Sequence, residues 1–416
     1  MSEEMSAFIK AAQLLPVSAA VNALGLKLPK KVDQGGPCPR CGGKDRFAVN
    51  LGKDAWVCRG CDAGGRNGLS LVAHVLKYDL HSRSELLEAS AFLSGKPVPD
   101  GAERETAAAR ARREASLQLD LQKAEYDAAE RQKKQDAFRE KEVRKARGIY
   151  LGATVAPHDD DRPLREYLRL RTGCVIPDTV FENIRFATRR TYWHGNDERG
   201  NPTSHYVGYA MIAPFVDAAG KITGCHETWI DLSNGPKYRP DLGRDNDDIP
   251  LPTKKMRGTK KGSLIPVCGD LPSTRWVGGE GIETVLAFAG FDGFRPDTFY
   301  FATGDLGNLA GPADPKSAFN HPSQRVTDKR GRSRPVRVPG IVPKPGQSTS
   351  DAYQVPPHVD DLIHLADGDS EVVFTVAAMK RAAVRCALEG RSIHTLWPPA
   401  GADFASLGAE KLALGN

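Results

Sequence analysis

The chain has 416 residues, of which 40% are hydrophobic and 26% charged, with a formal net charge of +6. That length allows two or three domains, each with its own core. It excludes a transmembrane helix, because no apolar run approaches the ~20 residues a span requires, and Met1 to Lys10 carries no signal-peptide pattern. A cytoplasmic protein is therefore expected. Cys174, Cys225, Cys268 and Cys386 stand singly, as suits a reducing compartment. The positive excess is too modest to establish a nucleic-acid partner by itself.

A short helical stretch, Ala7 to Leu24, leads into Cys38-Pro-Arg-Cys41 and Cys58-Arg-Gly-Cys61, two C-x-x-C knuckles separated by sixteen residues. This is the spacing of a tetrahedral zinc site. Four thiolates leave no open coordination position, so the metal is expected to be structural. Between the knuckles, Phe47, Val49 and Leu51 alternate with polar neighbours, and a Gly52-Lys53-Asp54 turn leads to Trp56, which reads as a hairpin. Phe47 and Trp56 lie among Arg40, Lys44, Arg46 and Arg59. Such aromatics can stack single-stranded bases or form the small core of the ribbon, and at least one is expected to do the latter. Gly64-Gly65 then opens a helix through Leu69, Val72, Val75 and Leu76, and a second runs from Arg83 to Leu93. Residues 1–100 thus form the first expected domain.

From Gly101 to Arg147 the composition turns to Ala, Arg, Glu, Lys and Gln with few apolar positions, a solvated helical connector. Residues 148–275 read as a mixed α+β basic subdomain. Its expected elements are a helix from Leu164 to Arg171 and strands from Tyr209 to Val216 and Ile222 to Ile230. A polar segment follows with Lys237, Lys254, Lys255, Lys260 and Lys261, a cluster suited to template phosphates or simply to water.

Residues 276–416 alternate strand and helix. Arg275-Trp-Val277 enters Gly278-Gly-Glu-Gly281 and a helix. Thr298 to Ala302 and Leu362 to Ala366 are strands, Val373 to Leu388 a helix, and Ser392 to Leu396 a strand. This alternation predicts a mostly parallel sheet with ligands at the carboxyl ends of its strands. An insertion at 312–358 reads as irregular. Between Lys316 and Ser350 it holds eight Lys or Arg, one acid and five prolines, a composition that suits binding DNA or a partner, or no fixed structure. Glu280 follows one predicted strand. Asp367 and Asp369 follow another, with Gly368 between them expected to permit close approach of a ligand. Hard oxygen ligands gathered at one sheet edge suit Mg²⁺ or Mn²⁺, and a metal so held can stabilise charge in an in-line displacement at phosphorus. The plainer alternative is a turn and a helix-start carboxylate.

The G-E-G-I-E-T turn at Gly279 to Thr284 and the later L-A-D-G-D resemble the two motifs of the Toprim fold. Cys38-Pro-Arg-Cys41 followed by Asp45-Arg-Phe47 resembles the zinc domain of DnaG-type bacterial and phage primases. Glu166-Tyr-Leu168, Ala219-Gly-Lys-Ile222 and Pro236-Lys-Tyr238 are similar to the region preceding Toprim in that family. The resemblance implies an α/β multidomain chain: a zinc ribbon, a basic subdomain and a C-terminal Toprim domain. It further implies a DNA primase that makes short RNA primers on single-stranded DNA from nucleoside triphosphates, with a separate replicative helicase as partner. Glu280 is implied as a metal-binding or proton-transferring glutamate, Asp367 and Asp369 as the metal-binding pair, and Asp403 as a further magnesium ligand. Lys237 is implied to hold a nucleotide or template phosphate. Thr284, Val372 and Ala405 depart from the family's Asp, Gly and second acid. A Toprim nuclease and a non-catalytic single-strand-binding recruitment protein remain the alternatives.

Overall fold

The computed structural model describes residues 3–28, 35–99, 107–153, 161–197, 199–245, 248–327 and 333–414. Gly101 and residues 328–332 of the basic insertion lie outside the described residues, as do the side chains of Lys44 and Asp45. The chain divides into two compact units, Met1–Ala137 and Phe138–Asn416.

In the first unit the expected single helix is two, α1 (Glu3–Leu14) and α2 (Val17–Ala23), because Pro16 interrupts the pattern and serves as the cap of α2. Four short antiparallel strands follow in sequential order: β1 (Gly36–Cys38), β2 (Gly42–Asn50), β3 (Ala55–Cys58) and β4 (Ala63–Gly65). Helix α3 (Gly68–Leu76) packs against the sheet, and α4 (Arg83–Ser94) packs against α1, α2 and α3. Val17, Phe47, Val49, Trp56, Leu69 and Val72 belong to one core. The start of α3 is fixed by Asn67, whose side chain accepts from the Ser70 amide. Helix α5 (Ala107–Leu151) realises the charged connector.

The second unit opens with the end of α5 and with α6 (Arg162–Thr172). An antiparallel sheet follows in the order β5 (Arg185–Asn196), β6 (Pro202–Val216), β7 (Ile222–Ile230), β8 (Lys254–Gly258). One face packs Tyr192, Ile212 and Trp229 with Ala146 and Tyr150 of α5. The other face, with Phe186, Met211 and Phe215, shares a core with Val277, Val285, Tyr300 and Leu365. The expected boundary at 275/276 is therefore not a gap between cores. Strand β9 (Ile265–Cys268), which lies before it, joins the C-terminal sheet.

That sheet has five strands in the order β15-β14-β10-β11-β9, with β10 (Arg275–Gly279), β11 (Thr298–Ala302), β14 (Asp361–Leu365) and β15 (Ser392–Leu396) parallel and β9 antiparallel. The parallel expectation holds. Alternation along β10 sends Trp276 to one core and Val277 to the other. Helices α7 (Ile282–Phe291) and α10 (Phe404–Ala413) lie on one face. Helices α8 (Leu306–Ala310) and α9 (Val372–Cys386) lie on the other. A sheet covered on both faces is what near-continuous apolar strands require. The insertion is not irregular: β12 (Phe319–Thr327) and β13 (Ser333–Val338) pair as an antiparallel ribbon.

Candidate metal centres and a cavity lined by acids and cations

In the first unit the Sγ atoms of Cys38, Cys41, Cys58 and Cys61 all lie within 4.8 Å of one another. Four sulfurs at this separation fit a tetrahedral ion with metal–sulfur bonds of ~2.3 Å, and a soft thiolate set with no fifth donor suits zinc. The Arg40 amide donates to Cys38 Sγ at 3.3 Å. His74, which has no ligand-like spacing in the sequence, places Nε2 3.4 Å from the same sulfur, an outer contact of the kind that orients metal ligands. Trp56 requires correction as a nucleic-acid contact. It is 5% exposed, its Nε1 donates to Ser70 Oγ at 2.9 Å, and its ring lies 4.5 Å from that of His74. Gly65 admits this arrangement, since a Cβ there would sit 2.9 Å from Trp56 Nε1. Arg46 folds over Gly43, with its Nε 2.3 Å from where a Cβ would stand, so its charge lies beside the cysteine knuckle.

In the second unit, β10 and β14 are adjacent and parallel. The chain leaves β10 for β11 on one side and β14 for β15 on the other, which makes their carboxyl ends a topological switch point and opens a crevice there. Glu280 immediately follows β10, Asp367 and Asp369 follow β14, and Asp403 follows β15 at the cap of α10. All four line one cavity of about 490 Å³, within the range of small-ligand sites. Gly368 acts differently from expectation. A Cβ there would meet the carbonyl oxygens of Ala402 at 2.6 Å and Pro399 at 2.8 Å, and its own carbonyl accepts from the Gly401 amide at 2.9 Å. It therefore seats the loop that delivers Asp403 rather than a ligand. Asp403 spends one oxygen on the Ser406 amide, 2.6 Å away, in a capping box.

These acids repel one another. Burial, and then the charges of Glu280, Asp403 and Asp369, push the Asp367 carboxyl up to about 7. Burial also raises Glu280, against the pull of Lys254 and Lys260. Asp367 Oδ1 is buried without a hydrogen-bond partner among the described residues. A buried, unsatisfied carboxylate oxygen among like charges fits a hard divalent cation. The acids share a cavity without closing on a point: among the described residues only the cysteines gather ligand atoms within 4.8 Å.

Part of the lining is cationic, with Arg171, Lys237, Arg239 and Lys254 facing the same cavity. Glu283, which lies within the Gly279 to Thr284 turn but to which the sequence assigns no role, holds these cations. Its Oε1 accepts from Arg239 Nη2 at 2.8 Å and from the Tyr167 hydroxyl at 2.8 Å, and its Oε2 accepts from Lys254 Nζ at 3.0 Å. Although burial opposes ionisation, Lys254, Arg239 and Arg171 hold the Glu283 carboxyl well below its ordinary range. It is therefore ionised at neutral pH and holds the three cations together. His226, buried near Lys254, is pushed down to about 3 by burial and that charge and stays neutral. Arg171 Nε is buried and without a partner among the described residues.

The remaining sequence candidates separate. Lys254 and Lys255 sit on opposite faces of β8, as strand alternation requires. Lys255 lies 3.5 Å over the Tyr192 ring and donates to the Trp193 carbonyl, away from the cavity. Lys260 pairs with Asp305, and Lys261 is exposed; neither lines the cavity. Thr284 does line it, presenting a hydroxyl. Val372 is 60% exposed, and Ala405 is fully buried in α10.

A domain of unknown function (DUF7146) matches residues 140–266. No curated protein matches the sequence. Among solved structures, the chain is similar to the Aquifex aeolicus primase (zinc binding and RNA polymerase domains) at 14% identity, covering 100% of this chain and 85% of that one, with a TM-score of 0.35. It is similar to a DNA primase domain from Pseudomonas aeruginosa at 14% identity, covering 64% of this chain and 73% of that one, with a TM-score of 0.35. A DnaG primase catalytic domain bound to single-stranded DNA is 13% identical over 66% of this chain and 79% of that one, with a TM-score of 0.36. Among the described residues, no helix is long and apolar enough to cross a membrane.

Proposed function

We propose that the chain is a DNA-dependent nucleotidyltransferase of the primase type, with a structural zinc ribbon and a Toprim-like catalytic centre. The observation that carries the reading is the two-signed cavity. Part of its lining offers Glu280, Asp367 and Asp369 with an orphaned carboxylate oxygen. Another part offers Arg171, Lys237, Arg239 and Lys254 with an orphaned guanidinium N–H. A metal-bound triphosphate complements both at once.

Glu280, Asp367, Asp369 and the free oxygen of Asp403 would hold Mg²⁺ or Mn²⁺, which when bound neutralises charge on phosphate oxygens. Lys237, Arg239 and Arg171 grip the phosphate chain, while Glu283 keeps Arg239 and Lys254 facing the cavity. The 3′-hydroxyl oxygen of a growing strand forms a bond to the α-phosphorus as the bond to pyrophosphate breaks. The hydroxyl proton leaves to solvent water at the cavity mouth, since Glu280 is engaged as a ligand. Positioning and charge compensation supply the rate, with no covalent enzyme intermediate.

The same acids could direct water at a phosphodiester. The cationic lining favours synthesis, because a triphosphate brings more charge to it than a diester does. The test is incubation with single-stranded DNA, labelled ribonucleotides and Mg²⁺ or Mn²⁺, beside Glu280→Gln and Asp367→Asn. Short labelled oligomers that fall by roughly 100-fold or more in both variants support the proposal. Degradation of the template means a nuclease. Binding with neither reaction means a recruitment protein, the reading favoured by the missing carboxylates at Thr284 and Ala405.

A further inference from the structure

The basic insertion has no part in the cavity, yet its construction is specific. Strands β12 and β13 pair only with each other. Along β12 every side chain except His321 is exposed, so the ribbon covers no core over most of its length. Its base, by contrast, is fixed. His321 is buried. Its Nδ1 accepts from the amides of Ser323 and Gln324, which leaves Nε2 to donate to Glu371 Oε1 at 2.9 Å. Glu371 caps α9 through the Phe374 amide and stands two residues after Asp369. Arg381, buried in α9, donates to the carbonyls of Gly311 at 2.9 Å and Gly340 at 2.6 Å, tying the chain before β12 and the chain after β13 to that helix. The base of the ribbon is thus fastened to the start of α9, just after the loop that carries Asp367 and Asp369.

Among the described residues of the two strands, the charge has one sign. Those residues include Arg325, Arg334 and Arg337 and no acid. Arg325 is braced across the ribbon on the Ser333 hydroxyl and carbonyl, and Arg337 on Asn320 Oδ1 and the Ala318 carbonyl. Those partners are neutral, so they orient the guanidinium groups without cancelling their charge. Protecting the ribbon's open edges would be served by charges of either sign. Stacking on unpaired bases would need aromatic platforms, and Phe319, at the base, is the one Phe, Tyr or Trp among the described residues of the two strands. A bulge between Asn320 and Arg325 makes β12 pair with only the six residues of β13, so the ribbon extends about 20 Å at ~3.3 Å per residue, more than half of one helical turn of a duplex, ~34 Å. A two-stranded ribbon also matches the width of a major groove.

We propose that the β12–β13 ribbon is an arm that binds double-helical nucleic acid through its phosphate backbone. In the setting of the proposed reaction, and resting on that reading for this point alone, the duplex is the new strand paired with its template as it leaves the acidic cavity.

The test measures binding of a labelled DNA duplex two helical turns long, and of one of its strands alone, to the full chain over a range of KCl concentrations. The proteins are wild type, the triple variant Arg325→Ala/Arg334→Ala/Arg337→Ala, and the corresponding triple Lys variant. The Ala variant is expected to lower the magnitude of the duplex salt slope by about 2–3, at roughly 0.9 for each phosphate no longer neutralised. The Lys variant should retain the slope, and single-strand binding should change little. An unchanged duplex slope in the Ala variant overturns the proposal, as does an equal loss for single strand and duplex. Glu280→Gln distinguishes the two claims: it should abolish synthesis and leave the duplex slope intact. A slope that falls in the Ala variant of a protein that makes no primers would keep the arm and discard the polymerase.

Discussion

Replacing Asp367 with Asn should stabilise the second unit when no divalent cation is supplied, and only toward alkaline pH. A carboxyl moved from 3.8 to about 7 in the fold carries on the order of 4 kcal/mol of unfavourable free energy once ionised. Water at the cavity mouth screens part of this, leaving about 1–3 kcal/mol to be recovered. The sign follows from linkage. The folded pKa lies above the unfolded one, so the fold is favoured below 3.8, loses stability as pH rises, and carries the full cost above about 7. Asn removes the titration. The assay is thermal unfolding of wild type and Asp367→Asn between pH 5 and pH 8 in buffer freed of divalent cations by prior treatment. The variant should melt higher at pH 8, by roughly 2–4 °C per kcal/mol, with the gain shrinking toward pH 5. A variant that is destabilised at pH 8, or whose difference from wild type ignores pH, would refute the claim that like charges crowd this carboxyl.

Glu283→Gln should cost about 2–4 kcal/mol, because it leaves the mostly buried Arg239 and the half-buried Lys254 beside a neutral amide; urea titration followed by tryptophan fluorescence reads this directly. The wild-type carboxyl has a lowered folded pKa, so its contribution is present above the ordinary carboxylate range and is lost as pH falls below it. The variant should lack that acid-side loss. Removing metal from the cysteine cluster with a strong chelator should expose residues 3–99 to protease while the second unit, which has its own cores, stays resistant; equal protection with and without chelator would contradict a metal-dependent ribbon. Gly368→Ala should destabilise the fold by roughly 1–3 kcal/mol, since the added carbon meets backbone carbonyls of the 399–402 loop. Comparison of its urea midpoint with wild type decides the matter.

The parallel sheet was legible because its strands are short runs of β-branched and aromatic residues. Thr298–Ala302 and Ser392–Leu396 fall where expected. Glu280 and Asp367 were legible because the crevice of a parallel sheet lies where its strands end. Glu283 was not, since a pattern search seeks acids that face a ligand and this one faces cations from α6, β8 and the 236–240 loop. Its signal was an acid in the first turn of the otherwise apolar helix Ile282–Phe291, a position that burial permits only with partners. Lys254 and Lys255 look equivalent as a charge cluster and are separated only by the strand on which they alternate. The ribbon was missed because both its faces meet water, so no alternation marks it. Trp56 and His74 show the limit of composition: an aromatic among basic residues reads the same whether it stacks on a base or closes a small core.

The central claim is that Glu280 and Asp367 jointly seat a divalent ion. Electron paramagnetic resonance of Mn²⁺ titrated into the full chain at pH 8, with the cysteine cluster already filled by zinc, measures this without reference to turnover. Wild type should bind Mn²⁺ at the cavity, and Glu280→Gln and Asp367→Asn should each weaken that binding by at least about tenfold. Mn²⁺ binding identical in all three proteins would contradict the claim.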